Sequence, residues 1–195
     1  PSSVKNNFKV SAKQIENAIT KKTKMFMFSS PCNPSGSVYT ENELREIAKV
    51  FEKYPQIFIV SDEIYEHINF TNQHFSIGRI DSLKDRVITV NGVSKGFAMT
   101  GWRVGFIGAP LWIAKACNKI QGQVTSATCA IAQKATEEAM KADPKEVTNE
   151  MKNSFFKRRD LLLEKLNGIK GVKCNIPDGA FYIFPDISYF FGKTD

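Results

Sequence analysis

Ile-Phe-Ile-Val-Ser-Asp-Glu-Ile-Tyr, residues 57–65, passes without a break from an apolar run into a polar motif. A short, continuous, β-branched and aromatic run of this kind predicts a strand buried on both faces. The same design occurs twice more. Lys24–Ser30, rich in Phe and Met, leads into Ser-Pro-Cys-Asn-Pro-Ser-Gly at 30–36. Val87–Asn91 leads into Asn-Gly-Val-Ser-Lys-Gly-Phe-Ala-Met-Thr-Gly-Trp-Arg-Val-Gly at 91–105. Asn33 precedes Asp62 by 29 residues and Lys95 follows it by 33, about one strand–helix–strand unit each. If these strands are parallel, all three motifs lie at their carboxyl ends, the edge where open α/β sheets bind ligands. An amide, a carboxylate and a lysine then converge on one crevice.

The flanking segments fit this α/β rhythm. Ser11 with Gln14 and Thr40 with Glu43 read as capping boxes. Each is followed by apolar residues at helical spacing: Ile15, Ala18 and Ile19 after the first, and Leu44, Ile47, Ala48 and Phe51 after the second. The second helix should end before Pro55. Downstream, the pattern predicts a strand at Val104–Gly108 and helices at Leu111–Gln121, Ser126–Lys141 and Lys145–Asn167. Asp143–Pro144 separates the last two, and Gly168 and Gly171 close the long helix. Val172–Asn175 and Ala180–Phe184, joined around Pro177–Gly179, read as an antiparallel pair. The change from alternation to helix-then-hairpin places a domain boundary near residue 145, giving units 1–144 and 145–195.

Composition excludes several classes of function. The chain has 195 residues, is 42% hydrophobic and 24% charged, and needs neither disulfides nor a structural metal to build a core. No apolar run approaches the ~18–20 residues of a membrane span. The four cysteines are scattered with no Cys-x-x-Cys pair, which suggests reduced thiols and a cytoplasmic setting. His67 and His74 show no cysteine or carboxylate arrangement around them in the sequence, so no metal site is expected. The net charge of +7 is dispersed. Its two clusters, Lys21–Lys24 and Lys157–Arg159, lack interleaved aromatics and read as solvated helix faces rather than a nucleic-acid surface.

A lysine beside a carboxylate and a phenol suits Schiff-base chemistry with a carbonyl compound. Arg103 and Ser94 add anion binding, so the carbonyl compound should carry a phosphate. Pyridoxal 5′-phosphate meets both demands. Each residue also has a plainer reading by itself. Lys95 could be a surface lysine, Asp62 the cap of a short helix over 63–67, and Asn33 part of a β-turn. Tyr65 could be a core aromatic and Arg103 a surface ion-pair partner. Glu63 competes with Asp62, but along a continuing strand it points to the opposite side.

Gly92–Gly105 resembles the lysine signature of class I pyridoxal-phosphate-dependent aminotransferases, with Gly92, Lys95, Gly101, Arg103 and Gly105 in matching places. Asn33–Gly36 and Asp62–Tyr65 are similar to the family's other two motifs, in order and in spacing. Phe97–Arg103 and Pro177–Tyr182 resemble the bacterial aspartate aminotransferase branch. The resemblance covers nearly the whole chain. It implies a fold-type I large domain, a three-layer α/β/α unit with a mostly parallel sheet, followed by the start of a smaller α+β domain. It also implies a homodimer that moves an amino group from aspartate to a 2-oxo acid such as 2-oxoglutarate.

The resemblance assigns roles residue by residue. Lys95 bonds the cofactor aldehyde and then moves the substrate proton as a neutral amine. Asp62 pairs with the pyridine nitrogen, Tyr65 and Asn33 contact the 3′-oxygen, and Arg103 with Ser94 holds the phosphate. Relatives carry three further features that this chain lacks: an upstream glycine turn, an upstream stacking aromatic and a downstream carboxylate-binding arginine. Residues 1–195 are therefore expected to be the middle of a longer enzyme, with little activity alone. Two alternatives stand beside this reading: a C–S lyase on the same fold, and a non-catalytic regulatory domain.

Overall fold

The computed structural model describes residues 2–193. Four strands, β1 (Met25–Ser29), β2 (Phe58–Asp62), β3 (Val87–Gly92) and β4 (Gly105–Gly108), form one sheet in that order. The first three are parallel, with Ser29, Asp62 and Val90 aligned across the carboxyl edge. β4 returns antiparallel, pairing Gly105 with Gly92. Five α-helices accompany them: α1 (Ala12–Ala18), α2 (Glu41–Glu52), α3 (Leu111–Val124), α4 (Ala130–Lys141) and α5 (Pro144–Asn167).

Local sequence sets the early helices. Both capping boxes form, with the Ser11 and Thr40 side chains accepting the backbone N–H of Gln14 and Glu43. Each such cap is worth about 1 kcal/mol. The apolar stripe of α2 then settles on the sheet, where Leu44, Ile47 and Phe51 meet Ile57 and Ile59 in one core. Burying each side chain of this size contributes roughly 1.5–3 kcal/mol. Strand alternation sends Ile57, Ile59 and Ser61 toward α2 and Phe58, Val60 and Asp62 to the other face. There Trp112 of α3 meets the Phe58 ring edge-on at 5.7 Å, while Met25 and Met27 stay exposed.

Two smaller cores serve the carboxyl edge. Tyr65, Ile68 and Ala180 pack with Met151 and Phe155 of α5. Val93, Val104 and Ala132 of α4 pack with Phe97 and Met99.

Three expectations need correction. Helix α4 starts at Ala130 rather than Ser126, because Ser126 has a φ of 65°, a left-handed conformation that cannot open a right-handed helix. The pair 172–175 and 180–184 does not form a hairpin. Lys173 instead exchanges two backbone hydrogen bonds with Asp186, at 3.1 and 2.7 Å, and Gly179 bridges to Asn69. The third concerns Arg159, which is not solvated. Its guanidinium lies 4.1 Å from the Phe156 ring centroid and donates to the Pro177 carbonyl at 2.9 Å, with only 13% of the side chain exposed.

Candidate active site

The turn after β1 is knitted to the chain's last segment. The Gly36 carbonyl accepts the N–H groups of both Asp178 and Gly179, each at 2.9 Å. Gly36 has a φ of 67°, and a β-carbon there would run into Pro177, so only glycine suits this junction. Two distant motifs, 33–36 and 177–182, are thereby locked together. Asn33 sits at the exposed tip of the turn, and its side chain makes no hydrogen bond among the described residues.

The second motif leaves β2 through Asp62, whose Oδ1 accepts the Ile64 N–H at 3.1 Å. This forms a tight turn, not the short helix of the plainer alternative reading. The turn delivers Tyr65 into the second core, 3% exposed, with its hydroxyl 2.8 Å from the Tyr182 hydroxyl. Burial first, then the Tyr182 hydrogen bond and the nearby Asp62 charge, push the Tyr65 phenol far above its ordinary value. It remains a protonated donor at any physiological pH. Glu63 turns away from this side. It accepts the Ser61 and Ser76 hydroxyls at 2.8 and 2.7 Å and meets His74 Nε2 at 2.8 Å.

The third motif brings Lys95 onto the same ground. Its Nζ lies 5.9 Å from the centroid of Tyr65 and 5.6 Å from that of Phe181, a pair of faces that attract an ammonium group. Phe181 and Tyr182 are site residues to which sequence reasoning gave no role. Their only signal was their place within the Pro177–Tyr182 motif.

Ser94 and Arg103 are linked through Thr100, which donates its hydroxyl to the Ser94 carbonyl at 2.8 Å. The Thr100 carbonyl in turn accepts the Arg103 guanidinium at 2.9 Å. Arg103 is exposed and lines an open groove with Trp102, Thr128 and Cys129. The structure thus unites Lys95, Tyr65, Phe181 and Tyr182 directly and joins Ser94 to Arg103. The turn that carries Asn33 is tied to the 177–182 segment through the backbone at Gly36.

The fold gives one of the histidines carboxylate neighbours that the sequence did not show. Folding places Glu63 and Glu66 around His74, with ligand-type atoms of all three within 4.8 Å of one another.

An open α/β sheet with a lysine, a carboxylate and a phenol along its carboxyl edge is the large-domain architecture of fold-type I pyridoxal-phosphate proteins. The chain belongs to the aminotransferase class I and II family, whose model matches residues 1–189. It is 45% identical to the aspartate/prephenate aminotransferase of Cereibacter sphaeroides, covering 98% of this chain and 48% of that protein. It is 42% identical to a bifunctional aspartate aminotransferase and glutamate/aspartate-prephenate aminotransferase of Petunia hybrida, over 98% of this chain and 41% of that one. Among solved structures, the aspartate aminotransferase of Rhizobium meliloti superposes with a TM-score of 0.91 at 37% identity, over 95% of this chain and 47% of that one. The Thermus thermophilus aspartate aminotransferase with maleate gives 0.87 at 37%, over 97% and 49%. The chain spans about half the length of the curated relatives it matches. Members of the family are pyridoxal-phosphate-dependent. No helix among the described residues is long and apolar enough to cross a membrane.

Proposed function

We propose that this chain is the lysine-bearing part of an aminotransferase that moves an amino group from an L-amino acid, aspartate, to 2-oxoglutarate. The observation that carries the reading is Lys95 Nζ poised over Tyr65 and Phe181, at the sheet edge that also presents Asp62. The donor set matches pyridoxal 5′-phosphate in its chemistry: an amine for the aldehyde, an anion for the pyridine nitrogen, a phenol for the 3′-oxygen and a guanidinium for the phosphate. When bound, the cofactor supplies an electron sink for the charge left at the substrate α-carbon.

The chain's own groups carry the rest. Lys95 offers its amine as the covalent anchor and, once freed, as the base that takes the α-proton. Asp62 would pair its carboxylate with the pyridine nitrogen when the cofactor is bound. Tyr65 donates its hydroxyl, kept protonated by burial, and the Asn33 amide would serve the same 3′-oxygen. Arg103 and Ser94 would hold the phosphate. Phe181 offers a ring face to the amine, and Tyr182 holds the Tyr65 hydroxyl. Aspartate as the donor rests on the names of the relatives and on the maleate-bound neighbour, a dicarboxylate complex. The reading also takes the full-length protein to be a homodimer with a second unit beginning near residue 145. The four free cysteines support a cytoplasmic setting.

The full-length protein should show a visible cofactor absorbance band that borohydride reduction fixes onto Lys95, and should transaminate aspartate. Lys95→Ala should abolish both. Labelling of another residue, or no band with cofactor in excess, would overturn the assignment.

A further inference from the structure

We propose that Glu63, Glu66 and His74 form a site for a zinc-type divalent cation, on the sheet face opposite Asp62. Each carboxylate has one oxygen anchored and one presented. Glu63 Oε1 accepts the hydroxyls of Ser61 and Ser76, and its Oε2 faces His74 Nε2 at 2.8 Å. Glu66 Oε1 accepts the Asn91 amide at 2.6 Å, and its Oε2 lies 3.7 Å from the same nitrogen. Outer oxygens held by neutral donors, with inner oxygens converging on an imidazole, match the way supporting hydrogen bonds orient metal ligands. The three donors lie within 4.8 Å of one another, and the two spacings to Nε2, 2.8 and 3.7 Å, suit ligands sharing one small cation at ~2.0–2.2 Å.

Charge points the same way. The Glu63 side chain is 4% exposed, and no lysine or arginine pairs with Glu63 or Glu66 among the described residues. Buried carboxylates such as Glu63 are normally paired or bound to metal, and among the described residues the basic groups beside these two carboxylates are imidazoles: His74 at both, and His67, whose Nε2 lies 3.4 Å from Glu66 Oε1. A cavity of about 380 Å³, lined by Glu66, His67, Asn69, His74, Thr148 and Lys152, opens onto the cluster and provides an entry path. Two lysines, Lys145 and Lys152, line it, and Lys152 is engaged with the Asn72 side chain at 2.7 Å. The imidazole selects a first-row metal over magnesium or calcium, and water would complete the coordination. A bound cation would pin the loop carrying His74 and Ser76 to the ends of β2 and β3.

The test uses full-length protein, stripped with chelator and alkylated at the exposed Cys117 and Cys129, and titrated with Co²⁺ and then Zn²⁺. One equivalent per chain should bind, with visible Co²⁺ bands that Zn²⁺ displaces. His74→Gln should remove the bands and weaken Zn²⁺ at least 100-fold. Ser76→Ala, which keeps all three ligands, should weaken it by about tenfold. Glu66→Gln, at a partly exposed position, provides a second ligand variant should His74→Gln fail to fold by circular dichroism. Lys95→Ala should bind like the parent, separating this site from the Lys95 crevice. Absence of Co²⁺ bands, or affinity unchanged in a folded ligand variant, would overturn the proposal.

Discussion

Gly36→Ala tests the junction on which the Asn33 turn depends. Two costs can be worked out from the geometry. At a φ of 67° an L-residue is strained by roughly 1–2 kcal/mol. The added methyl group would overlap Pro177 and lie 2.8 Å from the Gly179 carbonyl oxygen, and overpacking of this kind costs about 1–3 kcal/mol. Moving 177–179 away relieves the overlap but gives up the two hydrogen bonds to the Gly36 carbonyl, each worth roughly 0.5–1.5 kcal/mol, so the penalty changes form without disappearing. The expected loss is about 2–5 kcal/mol. Urea denaturation followed by circular dichroism should show a lower midpoint with an unchanged slope. Gly122→Ala provides the opposite sign. It sits inside α3 with nothing within 4 Å of its added carbon, and should gain about 0.5–1 kcal/mol. A Gly36→Ala protein within about 0.5 kcal/mol of the parent would refute the reasoning.

Three further outcomes follow from particular contacts. Burial raises the Glu43 carboxyl, but the Lys9 hydrogen bond and the Thr40 backbone outweigh it and hold the group below its ordinary 4.5. Its stabilising contribution is therefore complete above that value and lost as pH falls through the lower folded one. The melting-temperature gap between parent and Glu43→Gln should be open at pH 7 and close in that acid window. Arg159→Ala should cost about 1–3 kcal/mol in thermal unfolding through loss of the Pro177 hydrogen bond and the Phe156 stack, and Arg159→Lys should recover little of it because an ammonium cannot reproduce the planar contact. Full rescue by lysine would show that charge alone matters. Cys129 caps α4, where the N–H of Ala132, then that of Ile131, lowers its thiol, whereas burial raises Cys174. Mass spectrometry after brief iodoacetamide treatment should find Cys129 modified well ahead of Cys174.

Much of the architecture was legible because its signals are local. The capping residues Ser11 and Thr40, the apolar run at 57–60 and the even spacing of Asn33, Asp62 and Lys95 each report on a few neighbouring residues, and the helices and parallel strands followed them. Errors arose where a segment's partner was remote. Residues 180–184 have strand-like composition, but their backbone partners lie elsewhere. Arg159 sits in a basic run, and periodicity cannot tell that Phe70 and Pro177 will meet that side of the helix. His74 looked isolated because its carboxylates approach only when the loop after Asn69 folds back.

By itself, the sequence determined the order of elements, the parallel edge and the residue types available for chemistry, since these depend on short-range propensity and hydrophobic spacing. Only the tertiary structure decided which groups touch. It set Lys95 over Phe181, joined the Tyr65 and Tyr182 hydroxyls across 117 positions of chain, and gave Glu63 its partners Ser76 and His74. Such contacts are made by packing distant segments around a shared core, and no local pattern encodes the distance between them.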